Sequence, residues 1–163
     1  MIRIAEEYGG NVEKNTGDGL FIYFNDNEGN PPENGSKRAV ACALTMFAAT
    51  AHLINPIIQS SNAKPIEFRV SIDYGSVTIA RIGAPRRFNA NVAIGTTANF
   101  ASKVMRFAQA GEIVIGESAK NLLPAVWANS WAELVSEPSG WIYTATGIPY
   151  KLYKYIGRWK SFL

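Results

Sequence analysis

The sequence predicts an α+β fold, a mostly antiparallel ferredoxin-like sheet with helices packed on one face. Two long segments, around residues 36–54 and 94–107, repeat apolar residues at helical spacing. Short alternating or aromatic-rich stretches lie between them, bounded by Gly, Pro, Asn and Asp. Their order is helix–strand–strand–helix–strand–strand–helix–strand–strand, an arrangement of split βαβ type. With 163 residues, 47% of them hydrophobic and 18% charged, the chain suits one domain over residues 1–163 with its own core.

Residues 1–8 read as the end of a helix, stopped by Gly9-Gly10. Met1 falls in mid-pattern, so the expectation is that the beginning of this helix is cut. Residues 11–24 read as a β-hairpin, with Leu20-Phe21-Ile22-Tyr23-Phe24 as its second strand and Thr16-Gly17-Asp18-Gly19 as its turn. A polar loop leads to Ser36, the expected cap of a helix carrying Val40, Ala43, Leu44, Phe47, Ala48 and Ala51 on one side. SSNAKP at residues 60–65 ends that helix. Two strands are expected around Gly75, in IEFRVSIDY and SVTIARI, then a basic loop over residues 83–91 holding Arg86 and Arg87. After the second long helix come strand EIVIG, a short helix in SAKNLL, and alternating stretches WIYTATG and YKLYKYIG.

Composition narrows the function. A net charge of +3 is too small to demand nucleic acid as a partner but suits a polyanionic small ligand. One cysteine, Cys42, excludes an internal disulfide framework and a cysteine-rich zinc site. No uninterrupted apolar run reaches the roughly 20 residues of a membrane span, and residues 1–10 do not read as a signal peptide, so a cytoplasmic domain with no membrane partner is expected.

Two segments carry candidate chemistry. In the hairpin, Lys14 and Asp18 tend toward one face by strand period, and a carboxylate at a glycine-flanked bend is open to a hard cation such as Mg²⁺. On the second long helix, Asn99 and Lys103 stand four residues apart, hence on one face, where an amide and a cation suit a sugar and a phosphate. Read alone, each segment is better taken as an ordinary turn or a solvated helix face.

Taken together and in order, EEYGGNVEKNTGDGLFIYF, FRVSIDYGSVTIARIGAPRRF, IGTTANFASKVMRFAQAGEIVIGESA and TGIPYKLYKY resemble the class III nucleotidyl cyclase catalytic domain. The resemblance implies conversion of a nucleoside triphosphate to a 3′,5′-cyclic monophosphate and pyrophosphate, with two Mg²⁺ or Mn²⁺ ions. It implies Asp18 as a metal ligand, Asn99 as ribose-positioning residue, Lys103 as transition-state cation and Lys14 as base-contacting residue. It also implies a head-to-tail homodimer with active sites at the interface. Lys151 falls where the family often places a triphosphate-binding lysine.

Three departures qualify the match. The family's other metal aspartate sits on a first strand that has no counterpart here, and Asp26 and Asp73 do not occupy its motif. The transition-state cation, usually arginine, is Lys103, which keeps the charge without the planar fork. The partner of the base-reading lysine, three residues before Gly95, is Val92, whose side chain cannot hydrogen-bond. The form Ala-Asn-x-Ala-x-Lys resembles the pyrimidine cyclases of the Pycsar anti-phage systems, which implies UTP or CTP as substrate and cUMP or cCMP as an alarm signal. An adenylate cyclase and a non-catalytic nucleotide-binding or dimerisation module are the alternatives. The turn lacks the Gly-Gly-Asp/Glu-Glu-Phe pattern of diguanylate cyclases. His52 and Cys42 read as packing or surface residues, and Trp127, Trp131, Trp141 and Trp159 as packing of the C-terminal lobe.

Overall fold

The computed structural model describes residues 1–15, 19–26, 34–84 and 88–159, with the backbone alone for residues 14, 15, 84 and 88–90. Helix α1 (Ile2–Glu7) leads into the hairpin of β1 (Asn11–Asn15) and β2 (Leu20–Tyr23). Their antiparallel pairing sets Val12 opposite Ile22 and Lys14 opposite Phe21, with a register shift between. The expected turn, including Asp18, lies outside the described residues.

Helix α2 (Gly35–Ala49) continues through a π-helical turn, Thr50–Ile54, into α3 (Asn55–Ser60). Its cap is Asn34, whose side-chain oxygen accepts from the Lys37 amide at 2.8 Å, and not Ser36, which lies buried inside the first turn. The run of residues 35–60 is long and apolar enough to cross a membrane by length and composition, beyond what the sequence suggested. Val40, Ala43 and Leu44 on it are packed in the main core.

Strand β3 (Val70–Ile72) and strand β4 (Thr78–Ala84) flank Gly75 as expected but join different sheets. Strand β4 pairs with β5 (Phe88–Ile94) over its whole length, so most of the expected basic loop is a β-ribbon; Arg86 and Arg87 fall outside the described residues. Helix α4 (Thr96–Val104) ends in a 3₁₀ turn, Met105–Phe107, and is followed by β6 (Ile113–Gly116), α5 (Glu117–Lys120), α6 (Ala125–Ser130), β7 (Ala132–Leu134) and β8 (Leu152–Tyr155). The segment WIYTATG is a turn closed by an isolated bridge between Ile142 and Pro149.

The larger sheet has the order β3-β6-β8-β7, with β3 and β6 parallel and the other pairs antiparallel. The α+β class holds, and the helices are distributed over both faces. Ile113 and Ile115 pack with α2, α5 and α6. Val114, pointing the other way, packs with Phe100, Val104 and Phe107 of the α4 region. A third cluster joins Ala5 of α1 to Cys42 and Met46 of α2 beneath Val12 and Ile22.

Candidate functional site

Helix α4 is the best-defined part of the site. Its apolar stripe fixes it: Val104 is wholly buried, and Phe100 meets Trp141 and Tyr150 edge-on at 4.6 and 4.9 Å between ring centres. Two side-chain bonds tie it to the strand side. The Ser71 hydroxyl donates to the Ala101 carbonyl at 2.6 Å, and the Thr97 hydroxyl to the Ser76 carbonyl at 3.3 Å. Gly95 opens the helix with φ +147°, a conformation that favours glycine. So held, α4 presents Asn99 and Lys103 to solvent, both exposed and about 40° apart around the helix.

Beside α4 runs a broad groove of about 1660 Å³, bounded by α2, β2, β3 and α4. From α4 it is lined by Thr97, Ala98, Ala101, Ser102 and Met105; Asn99 and Lys103 do not line it. The middle of the groove-facing arc lies about 150° around the helix from the Asn99–Lys103 pair. The two polar side chains therefore point away from the groove of their own protomer. Gly19, next in sequence to Asp18, lies at the groove's edge.

The hairpin and the β4–β5 ribbon meet through Glu13, whose Oε2 accepts from the Ala93 amide at 2.7 Å. That bond sets β1, which carries Lys14, against β5, where Val92 pairs with Ala80 and is half-buried. The structure thus sets the two base-contacting candidates on neighbouring strands. Lys151 is exposed and sits just ahead of β8, not within it; its carbonyl accepts from the Glu117 amide at 3.0 Å.

Two aspartates that sequence reasoning left without a role line the groove. Asp26 accepts from the Gly35 amide at 2.7 Å and from the Tyr74 hydroxyl at 2.6 Å. The Tyr74 bond, then the Gly35 bond, holds its carboxyl below the usual range. Asp73 accepts from the Tyr150 hydroxyl at 2.6 Å, and that same oxygen accepts from the Ser118 amide at 2.9 Å. Burial pushes the Asp73 carboxyl up, only partly offset by the Tyr150 bond. Gly116 packs directly against Asp73 and Tyr150, where any Cβ would collide.

Both carboxylates are thus engaged in hydrogen bonds within the protein. Among the described residues no group of three or more His, Cys, Asp or Glu is placed to hold a metal ion. Asp18 lies outside them, so the described residues do not fit a two-ion site.

The family model for the adenylate and guanylate cyclase catalytic domain matches residues 8–136. The chain belongs to this family, the class III nucleotidyl cyclases. The cyclase domain also resembles solved structures along nearly its full length. It is 20% identical to the guanylyl cyclase Cya2, with a TM-score of 0.75, covering 99% of this chain and 77% of that one. It is 27% identical to the adenylyl cyclase CyaB from P. aeruginosa, with a TM-score of 0.64, covering 98% and 78%. The guanylate cyclase domain of RhGC from Catenaria anguillulae, solved in complex with GTP, is 20% identical with a TM-score of 0.68, covering 97% and 78%. No curated protein matches the chain.

Proposed function

We propose that this cyclase domain is one protomer of a homodimeric, cytoplasmic nucleotidyl cyclase that converts UTP or CTP to the 3′,5′-cyclic monophosphate and pyrophosphate, as a signal in anti-phage defence. The observation that carries the catalytic part is the outward face of α4. An amide and an ammonium, about 6 Å apart at Cβ, stand on a rigidly packed helix and turn away from their own groove. That is the arrangement expected if they act on a nucleotide held by a second copy.

In this reading Asn99 orients the ribose so that its 3′ oxygen lies in line with the α-phosphorus. Lys103 stabilises the negative charge that develops on the phosphate, as a point charge without the two-pronged contact of arginine. Lys14 and Val92 are assigned to the base, and Lys151, exposed beside β8, to the triphosphate. The pyrimidine assignment rests on the Ala-Asn-x-Ala-x-Lys form of α4; Val92, apolar and half-buried, leaves purine recognition by Lys14 incomplete. Asp18 is the assigned ligand for Mg²⁺ or Mn²⁺, which when bound neutralises triphosphate charge and acidifies the 3′ hydroxyl. A second ion would need a carboxylate that the described residues do not supply.

The test is incubation with each of the four nucleoside triphosphates and Mg²⁺ or Mn²⁺, with products resolved by mass. A cyclic pyrimidine product is expected, reduced at least about a hundredfold by Asn99→Ala or Lys103→Ala in proteins whose circular dichroism is unchanged. Preference for ATP would mean that Lys14 outweighs Val92, and would overturn the pyrimidine assignment. The absence, among the described residues, of a carboxylate group able to hold a metal ion favours one alternative, a nucleotide-binding or dimerisation module without turnover. Nucleotide binding with no product from any triphosphate would establish that alternative.

A further inference from the structure

Tyr150 stands at a junction of α4, the end of β3 and the start of α5. Its ring packs edge-on against Phe100, the neighbour of Asn99 on α4, at 4.9 Å between centres. Its hydroxyl donates to Asp73, just past β3, at 2.6 Å and accepts from the Ser118 amide of α5 at 2.9 Å. Its own amide donates to the Trp141 carbonyl at 2.8 Å, and its carbonyl accepts from the buried Ser139 hydroxyl. A second route leads back to α4. Arg106, in the 3₁₀ turn that ends that helix, donates to the Ser139 carbonyl at 3.3 Å. Lys151 follows Tyr150 directly, and its carbonyl accepts from the Glu117 amide at 3.0 Å. Successive amides of α5 thus hold the Lys151 backbone and the Tyr150 side chain.

Asn99 and Lys103 belong to α4, and Lys151 to the segment ahead of β8. One nucleotide reaches all three only if these two elements keep a fixed spacing. The apolar contacts between them, Phe100 with Trp141 and Leu152 in the cluster of Val104, are non-directional. Hydrogen bonds fix distance and direction together, and Tyr150 carries them through its amide, carbonyl and hydroxyl. We propose that Tyr150 is a positioning residue. Anchored by Asp73 and the Ser118 amide, it sets Lys151 at the distance from Asn99 and Lys103 that a nucleoside triphosphate requires, an inference that rests on the roles proposed above for those three residues.

The anchor is costly to the fold. Burial disfavours the charge on Asp73, and among the described residues no cation is paired with it. The arrangement also keeps residue 116 a glycine, since a Cβ there would meet both Asp73 and Tyr150. An apolar ring at residue 150 would fill the same space beside Phe100 without a shielded carboxylate. What the hydroxyl adds is a fixed orientation of residue 150, and with it of the Lys151 backbone.

The test is a double-mutant cycle read in steady-state kinetics, with the triphosphate that the native chain turns over fastest. Tyr150→Phe keeps the ring and removes the anchor. It should raise KM about tenfold with kcat within about threefold of native, and Lys151→Ala should do the same. Because Tyr150 acts through Lys151, the double variant should stay within about twofold of Lys151→Ala alone. Asp73→Asn keeps an acceptor for the Tyr150 hydroxyl and should hold KM within about threefold of native, whereas Asp73→Ala should match Tyr150→Phe. A merely structural loss lowers the folded fraction, and so kcat, at unchanged KM. A native KM in Tyr150→Phe or in Lys151→Ala would overturn the proposal and leave the cyclase reaction standing. So would multiplication of the two effects in the double variant. Where the native chain binds triphosphate without turnover, the same cycle is read in dissociation constants, with the same outcomes deciding. A native chain that neither turns over nor binds any triphosphate would overturn the proposal and the reaction together.

Discussion

Ile113, Val114 and Ile115 in β6 are wholly buried, whereas all four residues of β2, Leu20–Tyr23, are half-buried. Both strands are short and apolar. Strand β6 has a neighbour on each edge and helices on each face, while β2 has β1 on one edge and the groove on the other. Burial of an apolar side chain therefore depends less on its own character than on how many layers close around it. Cooperative stability is expected to reside in the β6–β8 half, and local opening in the hairpin half.

The largest effect should come from cutting into the closed half. Ile113→Ala is expected to cost about 3–4 kcal/mol in urea unfolding, as for fully buried aliphatic truncations. Ile22→Ala in β2 should cost no more than about 1–2 kcal/mol. Equal losses at the two sites would erase the contrast between the halves.

Next comes the pair that locks the end of β3 to the segment before β8. Tyr150→Phe removes the hydroxyl that serves both Asp73 and the Ser118 amide, and should cost about 1–3 kcal/mol. The folded state holds the Asp73 proton more tightly than the unfolded state, because burial raises its pKa. Its contribution is thus most favourable below the ordinary value of 3.8 and is lost as pH rises through the raised one. Asp73→Asn should abolish that slope, so the variant gains on the native protein as pH climbs above about 4. A parallel pH profile would show that Asp73 titrates normally.

A smaller effect is expected at the groove's rim. Asp26→Asn weakens the ties to Gly35 and Tyr74 and should cost about 1 kcal/mol. The sign here is opposite. The Asp26 pKa is lowered, so its stabilisation is present above 3.8 and lost as pH falls through the lowered value. Unfolding midpoints followed from pH 5 to pH 2 should converge for native and variant proteins. The weakest change is Arg3→Ala, since the Arg3–Glu7 ion pair is exposed and worth within about 0.5 kcal/mol.

Much of this architecture is legible in the sequence where periodicity is strong. The hairpin, both long helices, β6 and β8 follow from spacing and from Gly breaks. The misses have physical reasons. Strand β7 is three residues long and gains its identity from pairing with Tyr153, Lys154 and Tyr155 across the ladder. The β4–β5 ribbon runs through a basic stretch whose polarity resembles a loop. Ser36 and Asn34 both suit a helix start, and only backbone geometry selects Asn34. The Asp73–Tyr150 bond joins residues 77 apart, and no local pattern announces it. Of the candidate site, the α4 pair was legible because four-residue spacing is a rigid constraint; its orientation away from the groove required the packed helix.

The tryptophans give the asymmetry an optical signature. Trp127 and Trp131 meet Tyr155, Trp159 packs on Trp127, and Trp141 meets Phe100 and Phe107 edge-on. The hairpin half contains no indole at all. Intrinsic fluorescence therefore reports chiefly on one side of the molecule, and on fraying of the other only through Trp159, whose indole donates to the Thr45 hydroxyl of α2 at 3.0 Å. Resolving the second event calls for a reporter placed in the β1–β2 hairpin, for which Phe21→Trp is the natural position.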